Sequence, residues 1–198
     1  MRIVGILLAA GRGRRFGGDK RLARLPPAVP GAPAGPPLGV AAARNLVAAI
    51  PDAIAVVRPG DRRVAQALRR AGLRVVECAA ADDGMGASLA CGVAATPDAD
   101  GWVVALADMP WIASATTRAV ADALIAGASI VAPVHRGLRG HPVGFARAHF
   151  AALRALHGDA GARAVVAAHR DELALLDVDD DSILRDVDTP AALAARHE

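Results

Sequence analysis

Gly11–Lys20 (GRGRRFGGDK) packs four glycines, three arginines and a lysine directly behind an apolar run. Glycines let the backbone approach a phosphate closely and accept positive φ. Successive N–H groups in such a turn form an anion nest. Arg12, Arg14, Arg15 and Lys20 add positive charge. The segment does not end in the GK[ST] of a P-loop, and it lacks the G-x-G-x-x-G spacing of a dinucleotide fingerprint. Lys20 is the only lysine, against 22 arginines. A compact ammonium on a flexible stem suits a phosphate undergoing transfer. The bland alternative is a surface lysine that escaped a general drift to arginine.

Carboxylates supply the complementary chemistry. The apolar run in Val103–Ile112 (VVALADMPWI) delivers Asp108, with Met109-Pro110 as a turn. A carboxylate at that edge of a parallel sheet could hold a nucleotide-bound magnesium, or merely serve a turn. Asp186 and Asp188 fall in DVDTP, and alternation would place both on one face of an extended segment. Asp108 and Asp188 could therefore clamp one Mg2+ that bridges phosphates. The neighbouring acids Asp177, Asp179, Asp180 and Asp181 read as a solvated block. Gly84–Gly92 (GMGASLACG) joins a flexible loop to a helix start, with Ser88 placed to cap it or touch a sugar or base. His141, beside Pro142, could be a base or a structural histidine. In Gly158–Arg163 (GDAGAR), Asp159 is a candidate N-cap and Arg163 lies on the first turn, where a helix N-terminus can hold an anion.

These groups need a scaffold that brings distant loops together. Apolar runs read as strands at Arg2–Ala9, Ala53–Val57, Arg74–Cys78, Trp102–Leu106, Ser129–Ala132 and Val143–Phe145, with late strands at Leu173–Asp177 and Ile183–Asp186. Helical patterns fill Leu38–Ile50, Arg62–Ala71, Ala87–Ala95, Ala148–Leu156, Ala160–His169 and Ala191–Arg196. A further helix, Ala115–Ala126, has Ser114 as its candidate cap. Strands alternating with helices imply an α/β domain with a mostly parallel central sheet, and such sheets bind ligands at the carboxyl ends of their strands. No linker divides residues 1–198, so one domain is expected. Pro26–Pro37 holds six prolines in twelve residues. It must be a loop, either a plain surface loop or a flap over substrate.

Composition narrows the function. The 49 alanines among 198 residues predict a core built from small side chains and helix formers. No apolar run reaches the roughly 18 residues of a membrane span. Met1–Ala10 lacks a secretory pattern, and Cys78 and Cys91 lack CxxC spacing. A cytoplasmic, reducing location without membrane contact is therefore expected. Seven basic residues and one acid occupy 1–24, but there is no tyrosine and aromatics make up 3%. That leaves little to stack on bases, so a small phosphorylated ligand is favoured over nucleic acid.

Taken in order, LAAGRGRRFGGDK, ALADMPWI, GHPVGF, GDAGAR and DVDTP resemble the MobA-like nucleotidyltransferases, and most nearly the molybdenum cofactor cytidylyltransferases, over almost the whole chain. The resemblance implies a Rossmann-like three-layer fold with about seven strands. It implies Mg2+-dependent transfer of CMP from CTP to the terminal phosphate of molybdopterin, with release of pyrophosphate. It gives Leu8, Ala9, Ala10, Gly11 and Gly13 backbone contacts to base and triphosphate, with Gly84 and Ser88 beside the nucleoside. Arg15 and Lys20 would neutralise phosphate charge. Asp108 would ligate Mg2+, with Asp188 as second ligand. His141, Asp159 and Arg163 would face the pterin. Guanylyl-transferring relatives look like LAGG with a methionine where Phe16 stands, so Ala10 and Phe16 favour CTP. The family's G-K-P-L-L-like segment corresponds to AGPPLG here, with Pro36 at the lysine position. Alternatives are a guanylyltransferase, a transferase with another phosphorylated acceptor, or a non-catalytic protein delivering cofactor to a molybdoenzyme. A molybdoenzyme is also a candidate recipient of the product.

Overall fold

The computed structural model describes residues 1–13, 16–27, 29 and 31–194. Eight strands form one sheet in the order β3-β2-β1-β4-β7-β5-β6, with β8 paired to the free side of β5. β1 (Ile3–Leu8) lies at the centre, parallel to β2 (Ala53–Val57) on one side and β4 (Gly101–Leu106) on the other. β3 (Arg74–Glu77) extends the β2 side in parallel. The expected strand positions hold here because each apolar run is short, rich in Val and Ile, and bounded by Gly, Pro or Asp.

Beyond β4 the sheet becomes mixed. β7 (Val143–Ala146) runs antiparallel to both β4 and β5 (Ile130–His135), while β8 (Leu173–Asp177) runs parallel to β5. β5 turns into the two-residue β6 (Leu138–Arg139) through Arg136 and Gly137, at φ 49° and 80°. Two positive φ values in a two-residue loop match the twist of a hairpin.

Helices cover both faces, giving three layers. On one face α1 (Leu38–Ala49), α2 (Arg62–Arg70) and α4 (Ser114–Ile125) bury Leu46, Leu68, Val120 and Leu124 against Leu7, Ala55 and Val103. On the other, α3 (Met85–Ala94), α5 (Phe150–Arg154) and α6 (Arg163–Ala168) bury Leu89, Val93, Leu153 and Val166 against Val4, Ile6 and Trp102. β1 thus feeds alternate residues to two cores, as a central strand must. α7 (Pro190–Ala194) closes the described chain. Among the described residues no helix is long and apolar enough to cross a membrane.

Several local expectations are corrected. Ser114 is the first residue of α4, not its cap, and makes no capping bond. Asp180 takes that role from afar: its Oδ2 accepts from the Ala113 N–H at 3.0 Å and the Thr116 hydroxyl at 2.6 Å. Asp180 is therefore not simply solvated. It also accepts from the Ser182 N–H, and this local bond wins the backbone from the strand expected at Ile183–Asp186. A 3-10 turn, Asp181–Leu184, stands there instead. The helix expected from Ala160 begins only at Arg163, because Gly158 and Gly161 hold φ 66° and 56° and keep the segment before it a turn.

Candidate active site

The strand order reverses direction at β1: the chain first builds β2 and β3 on one side, then places β4 on the other. In open α/β sheets such a switch point leaves a crevice at the carboxyl ends of the strands. A cleft of about 470 Å3 lies there, with the paired end residues Leu8 and Leu106 in its wall. Ala10, Gly11 and Gly13, from the loop after β1, form one lip. Gly84, Met85 and Ser88 at the start of α3 form another.

Lys20 is the centre of charge. The turn Lys20–Leu22 is capped by Asp19, whose Oδ1 accepts from the Arg21 N–H at 3.2 Å. Lys20 Nζ donates to Asp108 Oδ2 at 2.8 Å, to the Val187 carbonyl at 3.0 Å and to Asp188 Oδ1 at 3.1 Å. Its side chain is only 11% exposed. Burial pulls the ammonium's pKa down, but the hydrogen bonds and charges of Asp108 and Asp188 more than offset this, and the pKa lies above the ordinary lysine value. A bond from the Val187 N–H to the Asp108 carbonyl, 2.9 Å, ties the two acidic segments together. That tie explains why carboxylates 80 residues apart converge. Two carboxylates and a carbonyl around one cation are the hard oxygen donors that a divalent ion takes. The donor set therefore fits a divalent cation, with the ammonium as its stand-in.

Beneath Lys20, the buried guanidinium of Arg21 braces the loop. It donates to the Ala9 carbonyl at 2.5 Å, to Asp61 Oδ2 at 2.7 Å, and to both oxygens of Asp19 at 2.8 and 2.9 Å. Burial again lowers its pKa, but the hydrogen bonds and charges of Asp19 and Asp61 outweigh this and leave it raised. This brace has no separate sequence signature, since Arg21 looks like one more arginine in a basic run.

Across the cleft, Arg12 holds Asp82 with two bonds, Nε to Oδ1 at 3.1 Å and Nη2 to Oδ2 at 2.5 Å. Arg58 lies at the end of β2, with Nε 3.1 Å from the same Asp82 Oδ1 and Nη2 donating to the Ala10 carbonyl at 2.5 Å. The Arg58 Nε is buried and makes no well-aligned hydrogen bond among the described residues. Sequence reasoning missed Arg58 and Asp82. The usable signal was an arginine directly after the second parallel strand, at the edge where ligands bind.

Of the expected residues, Leu8, Ala10, Gly11, Gly13, Lys20, Gly84, Ser88, Asp108, Asp159 and Asp188 all line this cleft. Ala9 lies behind it at 1% exposure, its N–H bonded to Val56 O and its carbonyl to Arg21. Its backbone is committed to the scaffold. Ser88 is buried and turns its hydroxyl to the Gly84 carbonyl at 3.3 Å. Gly84 has φ 118°, and a Cβ there would come within 2.5 Å of Asp159 Oδ1. The close approach seats the Gly158-Asp159 turn on the start of α3, where the Gly86 N–H donates to Gly158 O at 2.8 Å. His141 and Arg163 are not in the cleft wall. The His141 N–H donates to Ile183 O at 3.0 Å, and its Nδ1 is buried without a partner among the described residues. Burial drives the His141 pKa down; Asp108 and Asp186 pull it up, and Arg163 and Arg139 push it lower. It therefore sits in the field of both the acidic centre and α6. Arg15 lies outside the described residues.

A three-layer α/β domain with a glycine-rich basic loop and an acid-lysine centre at its switch point is the arrangement expected of a nucleotidyltransferase. The family model for the MobA-like NTP transferase domain matches residues 5–173, and the chain belongs to that family. Rv0371c from Mycobacterium tuberculosis H37Rv is similar in structure, with TM-score 0.81 and 31% identity over 98% of this chain and 96% of the other. A complex of Rv0371c with manganese matches with TM-score 0.77 and 30% identity over 98% and 97% of the two chains. A nucleotidyl transferase from Methanothermobacter thermautotroptrophicus (Mth528) shares the fold, with TM-score 0.79 and 21% identity over 98% and 94%. No protein of curated function matches the chain.

Proposed function

We propose that this nucleotidyltransferase moves CMP from CTP to the terminal phosphate of molybdopterin. An oxygen of that phosphate attacks the α-phosphorus, the bond to the β-phosphate oxygen breaks, and pyrophosphate leaves with the bonding pair. The attacking oxygen is already anionic, so no strong base is required. What remains is alignment and charge neutralisation. The observation that carries this reading is the convergence of Lys20, Asp108 and Asp188 at the mouth of a cleft walled by the glycine-rich loop.

In this reading the glycine-rich loop and the start of α3 hold the nucleotide. Lys20, with Arg15, meets the phosphates. Asp108 and Asp188 hold Mg2+, which supplies charge neutralisation across the phosphates when bound. Manganese in the Rv0371c complex supports a divalent ion of this size. Asp159 in the cleft wall would meet the acceptor, and His141 and Arg163, outside that wall, are assigned to it by the family resemblance. The choice of CTP rests on the family resemblance at Ala10 and Phe16. Pro36, where the family has lysine, favours a second reading in which the acceptor is another phosphorylated small molecule.

The deciding experiment measures pyrophosphate release from CTP, GTP, ATP and UTP, each with Mg2+ and molybdopterin, with and without molybdenum. Release with CTP alone is expected. Release with GTP alone would overturn the base assignment. CTP binding without release would replace the acceptor. Lys20→Ala is expected to slow release by about 10^2–10^3-fold, the loss typical of one removed charge-stabilising donor.

A further inference from the structure

Lys20 has three N–H donors, and all three are used: on Asp108, Asp188 and the Val187 carbonyl. An ammonium saturated in this way cannot also serve a triphosphate. It occupies the position between the two carboxylates that a divalent ion would need. Two like charges in one partly buried oxygen cage repel strongly, so the cage holds one or the other. We infer that Lys20 is an interlock: it fills the cation site as a resident counter-ion, and it must withdraw before a divalent ion can bind between Asp108 and Asp188. This rests on the proposed metal role of those two residues and adds a competitor to it.

Three features support an exchange rather than a permanent brace. The lysine stem is flexible, and Asp188 is 38% exposed, which leaves the cage open on one side. The loop behind Lys20 is pinned by Arg21 to Ala9, Asp19 and Asp61, so the backbone can stay while the ammonium moves. Charge favours the exchange more strongly when an anion is present. A divalent ion satisfies both carboxylates, and the expelled ammonium then needs the phosphates of a nucleotide as its new partner. Metal and nucleotide entry are coupled through one side chain, and by linkage each raises the affinity for the other.

The test is metal binding without nucleotide. Free Mn2+ is followed by electron paramagnetic resonance during titration of wild type, Lys20→Met, Asp108→Asn and the double variant. A site blocked most of the time shows an apparent affinity reduced by its open fraction. Lys20→Met, which keeps the stem and removes the charge, is therefore expected to bind Mn2+ about tenfold tighter than wild type. The gain should vanish in the double variant. Equal or weaker binding by Lys20→Met would overturn the interlock, while wild-type binding lost in Asp108→Asn would leave the metal site itself standing. If Mn2+ binding depends on Asp108 in neither background, the metal reading falls and the interlock falls with it. The single lysine gives a second readout that needs no variant at Lys20. In chain carrying isotope-labelled lysine, the one side-chain resonance should shift and narrow as Mg2+ saturates the Asp108-dependent site. A resonance that stays unmoved at saturation would overturn the proposal.

Discussion

At the scale of single residues, the cleft owes its shape to which charges are paired. Asp82 has a depressed pKa: the hydrogen bond from Arg12 lowers it most, against a smaller desolvation effect, and Arg58 lowers it further. Two guanidiniums sharing one carboxylate leave a net positive edge on the cleft. Arg58→Ala removes the cation at the end of β2 and is expected to weaken nucleotide binding about tenfold by calorimetry, a typical cost for a charged contact. Unchanged affinity would assign Arg58 to the scaffold. A second residue-scale expectation concerns reactivity. Burial, with Cys78 beside it, pushes the Cys91 thiol up to about 12. The thiolate is the nucleophile, so iodoacetamide at pH 8 should label Cys91 far more slowly than free cysteine. Rapid labelling would contradict that environment.

At the scale of elements, most strand positions were legible in both halves of the sheet, whereas strand direction in the mixed half was not. β1, β2, β3 and β4 announce themselves as short Val- and Ile-rich runs between breakers. The antiparallel insertion of β7 between β4 and β5 has no local signature, because strand direction is set by what lies beside it. The capping of α4 was equally hidden, since Asp180 reaches it from 64 residues away in sequence. The same split holds for the site. Lys20, Asp108 and Asp188 were readable as motif residues, whereas Arg21, Arg58 and Asp82 depend on contacts between loops. Asp180 also yields a pH expectation. Burial raises its pKa, but bonds from Ser182, Thr116 and the Ala113 N–H outweigh that and hold it below the ordinary value. A carboxylate depressed in the folded state contributes stability that is present above its unfolded pKa, near 4, and is lost as pH falls through the folded value. Denaturant midpoints should therefore drop below about pH 4 in wild type. Asp180→Asn should be less stable at neutral pH and show a shallower acid loss. Parallel pH curves would remove Asp180 from the capping role.

Glycine placement acts at the same scale. A Cβ at Gly84 would meet the Gly158 backbone at 2.4 Å, and φ 118° is strained for any other residue. Gly84→Ala must therefore push the Gly158-Asp159 turn off α3, widening the cleft wall that Asp159 helps to form. Loss of nucleotide affinity, with a modest drop in melting temperature, is the expected result. A variant with wild-type values in both would show that the turn can shift without cost.

At the scale of the whole molecule, the ligand cleft lies at the seam between β1 and β4, where both cores meet the sheet. The Arg21 brace joins the Lys20 loop to α2 through Asp61, and the Val187–Asp108 bond joins the C-terminal segment to β4. A nucleotide in this cleft therefore touches segments from the first, middle and last parts of the chain. A ligand that binds only the folded state stabilises it by about 2.7 kcal/mol at a hundred times its Kd. For a chain of this size, that corresponds to a rise in Tm of about 5–10 °C. Mg2+ with CTP is expected to produce that rise in calorimetric scans, and Asp108→Asn should shrink it. GTP at equal concentration should raise Tm less if Ala10 and Phe16 mark a cytidine site. An equal rise with GTP would show that the cleft does not read the base through those positions, and base choice would then pass to the Arg58–Asp82 wall, where two guanidiniums and a carboxylate offer both donors and acceptors.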